Sequence, residues 1–365
     1  MARIDLVDLS HSYVADPRRR EDYALSKLNM TWQDGGAYAL LGPSGCGKTT
    51  LLNIISGLLK PTTGRVLFNG QDVTLLNPQQ RNIAQVFQFP VIYDTMTVAD
   101  NLAFPLRNRG WGAAETRKRV EEIAEILELT GDLKHRASGL SADAKQKISM
   151  GRGLVRPDVA AVLFDEPLTT IDQHLKWTLR RKLKQIHAQL KLSLIYVTHD
   201  QVEAMTFADQ VVVMYGGEVV QMGSPQDLFE QPAHTFVGFF VGSPGMNLMP
   251  CTIEGGSAVV ADTRIPLDPA AAQVAGRAGG KLTLGIRPEF VELAAPGTPD
   301  TVLGAVERVE DLGNYKIVSA RLGQQLIMAK IGEDETIASD TVHLRFPPRW
   351  TRLYADDRAL TGTGG

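Results

Sequence analysis

The stretch Gly42-Pro43-Ser44-Gly45-Cys46-Gly47-Lys48-Thr49 decides how this chain of 365 residues is read. An apolar run, Ala37-Tyr38-Ala39-Leu40-Leu41, precedes it, and a helical pattern from Thr49 to Leu59 follows. Strand, glycine-rich turn and helix in that order form a cradle for phosphate. The glycines let several backbone N–H groups face one point, and the helix N-terminus adds its partial positive charge. A lysine at position 48 reaches terminal phosphates, and the Thr49 hydroxyl, with Thr50 beside it, suits Mg²⁺ and phosphate. A chance lysine in a glycine turn would lack the flanking strand and helix.

Further along, Ala161-Val162-Leu163-Phe164 runs into Asp165-Glu166, an apolar strand ending in two adjacent carboxylates. After a phosphate loop this predicts Asp165 as a Mg²⁺ ligand and Glu166 as the general base for water. A third apolar strand, Ser193 to Val197, leads to Thr198-His199-Asp200, where His199 is placed to contact a γ-phosphate. Gln88, after Ala84-Gln85-Val86-Phe87, is placed to sense metal and water. Short apolar strands alternating with helical patterns predict an α/β fold with a mixed sheet. Val120, Ile123, Ile126 and Leu127 fall at helical spacing, so a helical subdomain is expected over about 89–155.

The turn-rich Gly242-Ser243-Pro244-Gly245 marks an expected boundary, giving domains 1–242 and 243–365. Beyond it, Leu282–Ile286, Lys316–Ala320 and Val342–Phe346 alternate with Gly, Asp and Pro, which predicts a small β-barrel. There are 38 Lys and Arg against 41 Asp and Glu, a net charge of −3, so phosphate neutralisation along a nucleic acid is not the expected business of this chain. No apolar run approaches a membrane span, the N-terminus lacks a secretory core, and two cysteines build no disulfide framework. A soluble, cytosolic protein is expected.

Taken together, these residues resemble the ATP-binding subunits of ABC transporters, within them the carbohydrate and polyol importers typified by maltose and trehalose systems. The resemblance rests on the phosphate loop, Gln88, Leu140-Ser141, Asp165-Glu166, Asp172 and His199-Asp200-Gln201-Val202-Glu203-Ala204-Met205. It continues through Gly242 to Asn247 and Gly285-Ile286-Arg287-Pro288-Glu289. It implies an ATPase domain with a C-terminal OB-like accessory domain, using ATP and Mg²⁺. The implied seat is the cytoplasmic face of the inner membrane, against transmembrane permease subunits served by an extracytoplasmic solute-binding protein. It further implies Tyr13 stacking on adenine, and Ser141 and Asp172 contributing to the nucleotide site. The apolar stretch Phe87 to Tyr93, with Met96, would form a groove for a short permease helix. A non-transport ABC ATPase and a nucleotide-holding regulatory module with little hydrolysis are the competing readings.

One departure stands out. Where the family reads Leu-Ser-Gly-Gly-Gln, this chain reads Leu140-Ser141-Ala142-Asp143-Ala144. In the family this segment faces the nucleotide of the opposite subunit, so Asp143 would bring a carboxylate towards a phosphate. Two unit charges about 5 Å apart at an effective dielectric of about 20 repel by about 3 kcal/mol. A heterodimer with a second, different ATP-binding subunit is therefore expected; such pairs resemble glycerol-uptake systems, so the expected solute is a sugar or polyol, glycerol first. Cys46, beside Lys48 and a helix N-terminus, is expected to be a reactive thiolate.

Overall fold

The computed structural model describes residues 2–169, 171, 173–337 and 339–360, leaving aside the side chains of 173–175. It divides into two compact units, Met1–Pro225 and Gln226–Gly365.

The first unit is built on two sheets. Strands β1 (Ile4–His11), β2 (Leu25–Trp32), β4 (Thr63–Phe68) and β5 (Gln71–Asp72) form an antiparallel sheet in the order β2-β1-β4-β5. The second sheet runs β10-β9-β3-β8-β7-β6, with β3 (Ala37–Leu41), β6 (Ala84–Val86), β7 (Val162–Asp165), β8 (Leu194–Thr198), β9 (Gln210–Tyr215) and β10 (Glu218–Gly223). All its neighbours pair in parallel except β10 with β9, so the sheet is mixed. The central strands β3 and β8 are buried at every position, which is why they read as unbroken apolar runs.

Helix α1 (Lys48–Ser56) lies in the core shared by both sheets. Its Leu51, Leu52, Ile54 and Ile55 pack with Leu6, Leu28 and Val66 of one sheet and Leu40, Leu163 and Val197 of the other. Each such side chain contributes roughly 1.5–3 kcal/mol of burial, enough to fix the helix that carries Lys48 and Thr49. The helix stops at Gly57, short of the expected Leu59, because Gly57 turns left-handed at φ +84°.

The short α2 (Pro78–Arg81) precedes β6. Between β6 and β7 lie α3 (Val98–Arg107), α4 (Ala113–Ile126) and α5 (Ala142–Leu154). Leu102 and Leu106 of α3, Val120 and Ile123 of α4, and Ile148 and Met150 of α5 are buried apolar side chains of this segment. Helices α6 (Gln173–Leu190) and α7 (Gln201–Phe207) flank β8 in sequence.

The second unit opens with α8 (Pro225–Glu230) and α9 (Thr235–Phe240), so the turn at 242–245 lies inside it. Strands β11 (Asn247–Pro250), β15 (Leu282–Ile286), β21 (Arg352–Ala355) and β22 (Arg358–Ala359) make one sheet. A three-stranded meander joins β12 (Thr252–Glu254), β13 (Ser257–Val260) and β14 (Thr263–Pro266), followed by α10 (Pro269–Ala275). The third sheet orders β16 (Glu292–Ala294), β20 (Thr341–Arg345), β17 (Thr301–Asp311), β18 (Tyr315–Leu322) and β19 (Gln325–Gly332). One core of small and branched side chains, among them Ala258, Leu284, Val302, Ile327 and Leu344, serves all three. Within this unit the Arg287 guanidinium is buried. It donates to the carbonyls of Leu228 and Gly238, each at 3.2 Å, and to those of Phe229 and Val241. Among the described residues no helix is long and apolar enough to cross a membrane.

Candidate active site

The loop between β3 and α1 takes the backbone its glycines permit. Gly45 has φ +81° and Gly47 φ +100°, left-handed values that a side chain would strain. A Cβ on Gly42 would stand 2.3 Å from the Met214 carbonyl, so that position is closed to any larger residue. Lys48 Nζ donates to the carbonyls of Gly42 and Pro43 at 2.8 and 2.9 Å, keeping the ammonium on its own loop.

A cavity of about 380 Å³ opens on this loop, lined by Ser44, Gly45, Gly47, Lys48, Thr49, Thr50, Tyr13, Gln88 and Glu166 among others. Tyr13 is 68% exposed, its hydroxyl 3.1 Å from Thr50 Oγ1 and its ring edge-on to His11 at 4.6 Å. An exposed aromatic held this way offers its free face to a planar ring. The Thr49 hydroxyl donates to Asp165 at 3.3 Å. Burial raises the Asp165 carboxyl above its ordinary range, and neighbouring Glu166 adds to this, while Thr49 and Lys48 oppose it. A half-buried carboxylate short of positive charge, beside a threonine hydroxyl, is a donor set suited to a hard cation. Among the described residues no three His, Cys, Asp or Glu gather as a metal cage.

Glu166 caps β7 in a left-handed conformation, φ +46°. Its Oε2 accepts from the Thr169 hydroxyl at 3.2 Å and faces His199 Nδ1 at 3.1 Å. Strands β7 and β8 lie side by side in parallel, with Asp165 opposite Val197, which brings the two motifs together. Asp172 lies outside the described residues. Ser141 stands apart from the cavity lining as the N-cap of α5, its Oγ accepting from Ala144 N at 3.3 Å. Cys46 corrects an expectation: its side chain is buried, and burial pushes the thiol up despite Lys48, so it fills space under the loop and is no reactive thiolate.

The ABC transporter family model matches residues 25–169, the MalK OB fold domain residues 242–291 and the TOBE domain residues 284–353. The sn-glycerol-3-phosphate import ATP-binding protein UgpC of Yersinia pestis bv. Antiqua (strain Antiqua) is 41% identical over 342 residues, covering 92% of this chain and 94% of the relative. The chain belongs to the ATP-binding subunits of ABC transporters.

A UgpC of Escherichia coli O157:H7 is 41% identical over 334 residues, covering 90% of this chain and 92% of that one. Among solved structures, CbiO1 from Clostridium perfringens, part of the ABC transporter complex CbiONQ, superposes with a TM-score of 0.57 at 26% identity, covering 62% of this chain and 90% of its own. The ATP-binding cassette MJ0796, a dimer in a post-hydrolysis state bound to ADP and Pi, gives 0.53 at 26% identity, covering 61% of this chain and 98% of its own. This ABC ATPase therefore binds and hydrolyses ATP in transport, which sets aside the two competing readings.

Sequence reasoning passed over two polar groups of this ABC ATPase. Glu203 is buried and accepts from the hydroxyls of Tyr196 at 3.0 Å and Thr198 at 2.8 Å, bracing α7 against the strand that ends in His199. Buried Gln146 touches the loop after Glu166. Glu203 sat within a quoted motif, yet its hydrogen bonds to β8 have no spacing signature. The apolar run Phe87 to Tyr93 is largely exposed, Phe89 at 67%.

Proposed function

We propose that this chain powers import of sn-glycerol 3-phosphate through membrane permease subunits, seated peripherally on their cytoplasmic face. The observation that carries the site chemistry is the 3.1 Å approach of His199 to Glu166 beside the phosphate loop. The solute follows the relatives, named as sn-glycerol-3-phosphate import proteins and 41% identical along nearly the whole chain. That deepens the expectation of a polyol into a phosphorylated one.

In this reading Lys48 leaves the Gly42 and Pro43 carbonyls for the β- and γ-phosphates, and Tyr13 stacks on adenine. Ser44, Thr50 and the N–H groups of 45–49 hold phosphate oxygens. Thr49, Asp165 and Gln88 would hold Mg²⁺, which would neutralise phosphate charge. Glu166 takes a proton from the attacking water, and His199 orients Glu166 and contacts the γ-phosphate. The exposed segment 87–93 is the permease contact, and Gln88 at its start links that contact to the water.

Asp143 bears on the partner. Its carboxylate lies 3.5 Å from Lys147 one turn along α5, and Lys147 also faces Glu128 at 3.8 Å. The charge that argued against an identical partner is thus paired on its own helix, and the expectation of a different ATPase loses its support. We take the partner to be a second copy, each Ser141 facing the nucleotide of the other.

The test is uptake by vesicles carrying the permeases, the solute-binding protein and this chain. ATP-dependent entry of sn-glycerol 3-phosphate is expected, against none for glycerol or maltose; entry of maltose instead overturns the solute. In the same vesicles Glu166→Gln should lower turnover at least about tenfold while nucleotide binding persists. Unchanged turnover removes Glu166 from its role.

A further inference from the structure

One buried amide touches both loops that carry the proposed water-activating and sensing residues. Gln146 in α5 is fully buried. Its Nε2 donates to the Pro167 carbonyl at 2.8 Å and to the Phe87 carbonyl at 3.4 Å. Pro167 directly follows Glu166, and Phe87 directly precedes Gln88. Both partners are carbonyl oxygens, so the amide nitrogen must face them; the flipped amide would set oxygen against oxygen. Gln146 Oε1 is buried without a hydrogen-bond partner among the described residues. The amide is thus spent on two backbone carbonyls of separate loops while its own oxygen stays unpaired, an arrangement that filling the core does not require.

The same side of α5 extends the grip. Ser149 and Arg152 follow Gln146 at steps of three, which keeps side chains on neighbouring positions of one face. Ser149 Oγ accepts from Val91 N at 3.2 Å. Arg152 donates to the Val91 carbonyl and lies 4.7 Å over the Tyr93 ring. Segment 87–93 is thereby tied to α5 near both ends, and Gln146 carries the tie across to the loop behind Glu166.

We propose that Gln146 is a positioning residue for hydrolysis: it fixes the Glu166–Pro167 backbone against the Phe87–Gln88 backbone. A displacement of α5 with segment 87–93 is then passed to the water-activating carboxylate. The proposal deepens the site reading above and rests on Glu166 as the general base.

The experiment uses the full chain assembled with its permeases. Gln146→Met keeps length, shape and burial while deleting both the donor and the unpaired oxygen. The melting temperature should fall by no more than about 5 °C, two carbonyls losing a donor while an unpaired oxygen is removed, and KM for ATP should stay within about twofold. By contrast kcat should fall at least about tenfold, and transported solute should cease to stimulate turnover. Gln146→Glu should show the same loss at neutral pH and recover in part as pH falls, because only the protonated carboxyl has a donor, a single O–H that can restore one of the two bonds. A rise of activity on acidification that the wild type lacks, at a melting temperature that does not rise with it, is a readout no packing role predicts. Wild-type kcat in Gln146→Met, with Glu166→Gln inactive beside it, overturns the positioning role alone. A melting temperature and KM that worsen beyond those limits together with kcat also overturn it, in favour of core packing. Should Glu166→Gln itself keep wild-type turnover, the reading of Glu166 fails and the role of Gln146 falls with it.

Discussion

Asp165 is where the burial of a charge bears on stability. Burial raises its carboxyl above the ordinary range, with Thr49 and Lys48 pulling the other way. A carboxyl whose folded pKa is raised binds more protons in the folded state over the interval between its ordinary and raised values. Stability therefore grows as pH falls through the raised value, and the ionised form costs stability above it. Asp165→Asn should accordingly raise the melting temperature of the nucleotide-free protein at pH 7. It should also remove the acid-side gain and abolish Mg²⁺-dependent turnover; an unchanged or lower melting temperature counts against the cost of the charge. The phosphate loop was legible because backbone demand is written into residue type: the left-handed Gly45 and Gly47 leave little choice. Gln146 was illegible for the converse reason. Its partners lie 21 and 59 positions away, and no spacing rule announces a hydrogen bond that only the folded chain brings about.

At the scale of elements, the helical segment depends on one residue with no side chain. A Cβ on Gly151 of α5 would come within 2.5 Å of Leu102 Cδ2, 3.0 Å of Leu127 Cδ1 and 3.5 Å of Ile123 Cγ2. Helices α3, α4 and α5 meet at this point, and Arg119 of α4 ties the end of α5 by donating to the Leu154 and Val155 carbonyls at 3.1 and 3.0 Å. Gly151→Leu should destabilise the protein by about 1–3 kcal/mol through overpacking, read by urea unfolding. Wild-type stability would mean that the three helices can part without loss. The element types of this segment were readable from helical spacing, yet a glycine inside a helix carries no sequence mark of what it packs against. The centre of the mixed sheet was read correctly from fully buried runs. The edge of α1 was not, since its apolar pattern continues past the glycine that ends it.

For the whole molecule, the two units each have a core of their own, one around α1 and the other beneath the three C-terminal sheets. Calorimetry should resolve two transitions, and Mg²⁺ with a non-hydrolysable ATP analogue should raise one while leaving the other in place, because ligand stabilises only the unit that binds it. Both transitions moving together would show that the units unfold as one. Composition marked a change of character at Gly242, where the turn residues cluster. The compact division falls at Pro225, because α8 and α9 supply carbonyls to Arg287, a partner 46 to 59 residues further on.

That guanidinium has a consequence for how the second unit meets salt. Exposed ion pairs such as Arg18 with Asp16 weaken as mobile ions accumulate around them. Arg287 is satisfied by backbone dipoles inside the second unit, and burial lowers its pKa to about 10, still well above neutral pH. Mobile ions do not reach it, and it has no proton to lose under physiological conditions. The tie that Arg287 makes to the carbonyls of α8 and α9 thus holds as ionic strength rises, whereas exposed ion pairs of both units, Arg18 with Asp16 and Arg321 with Glu307 among them, weaken.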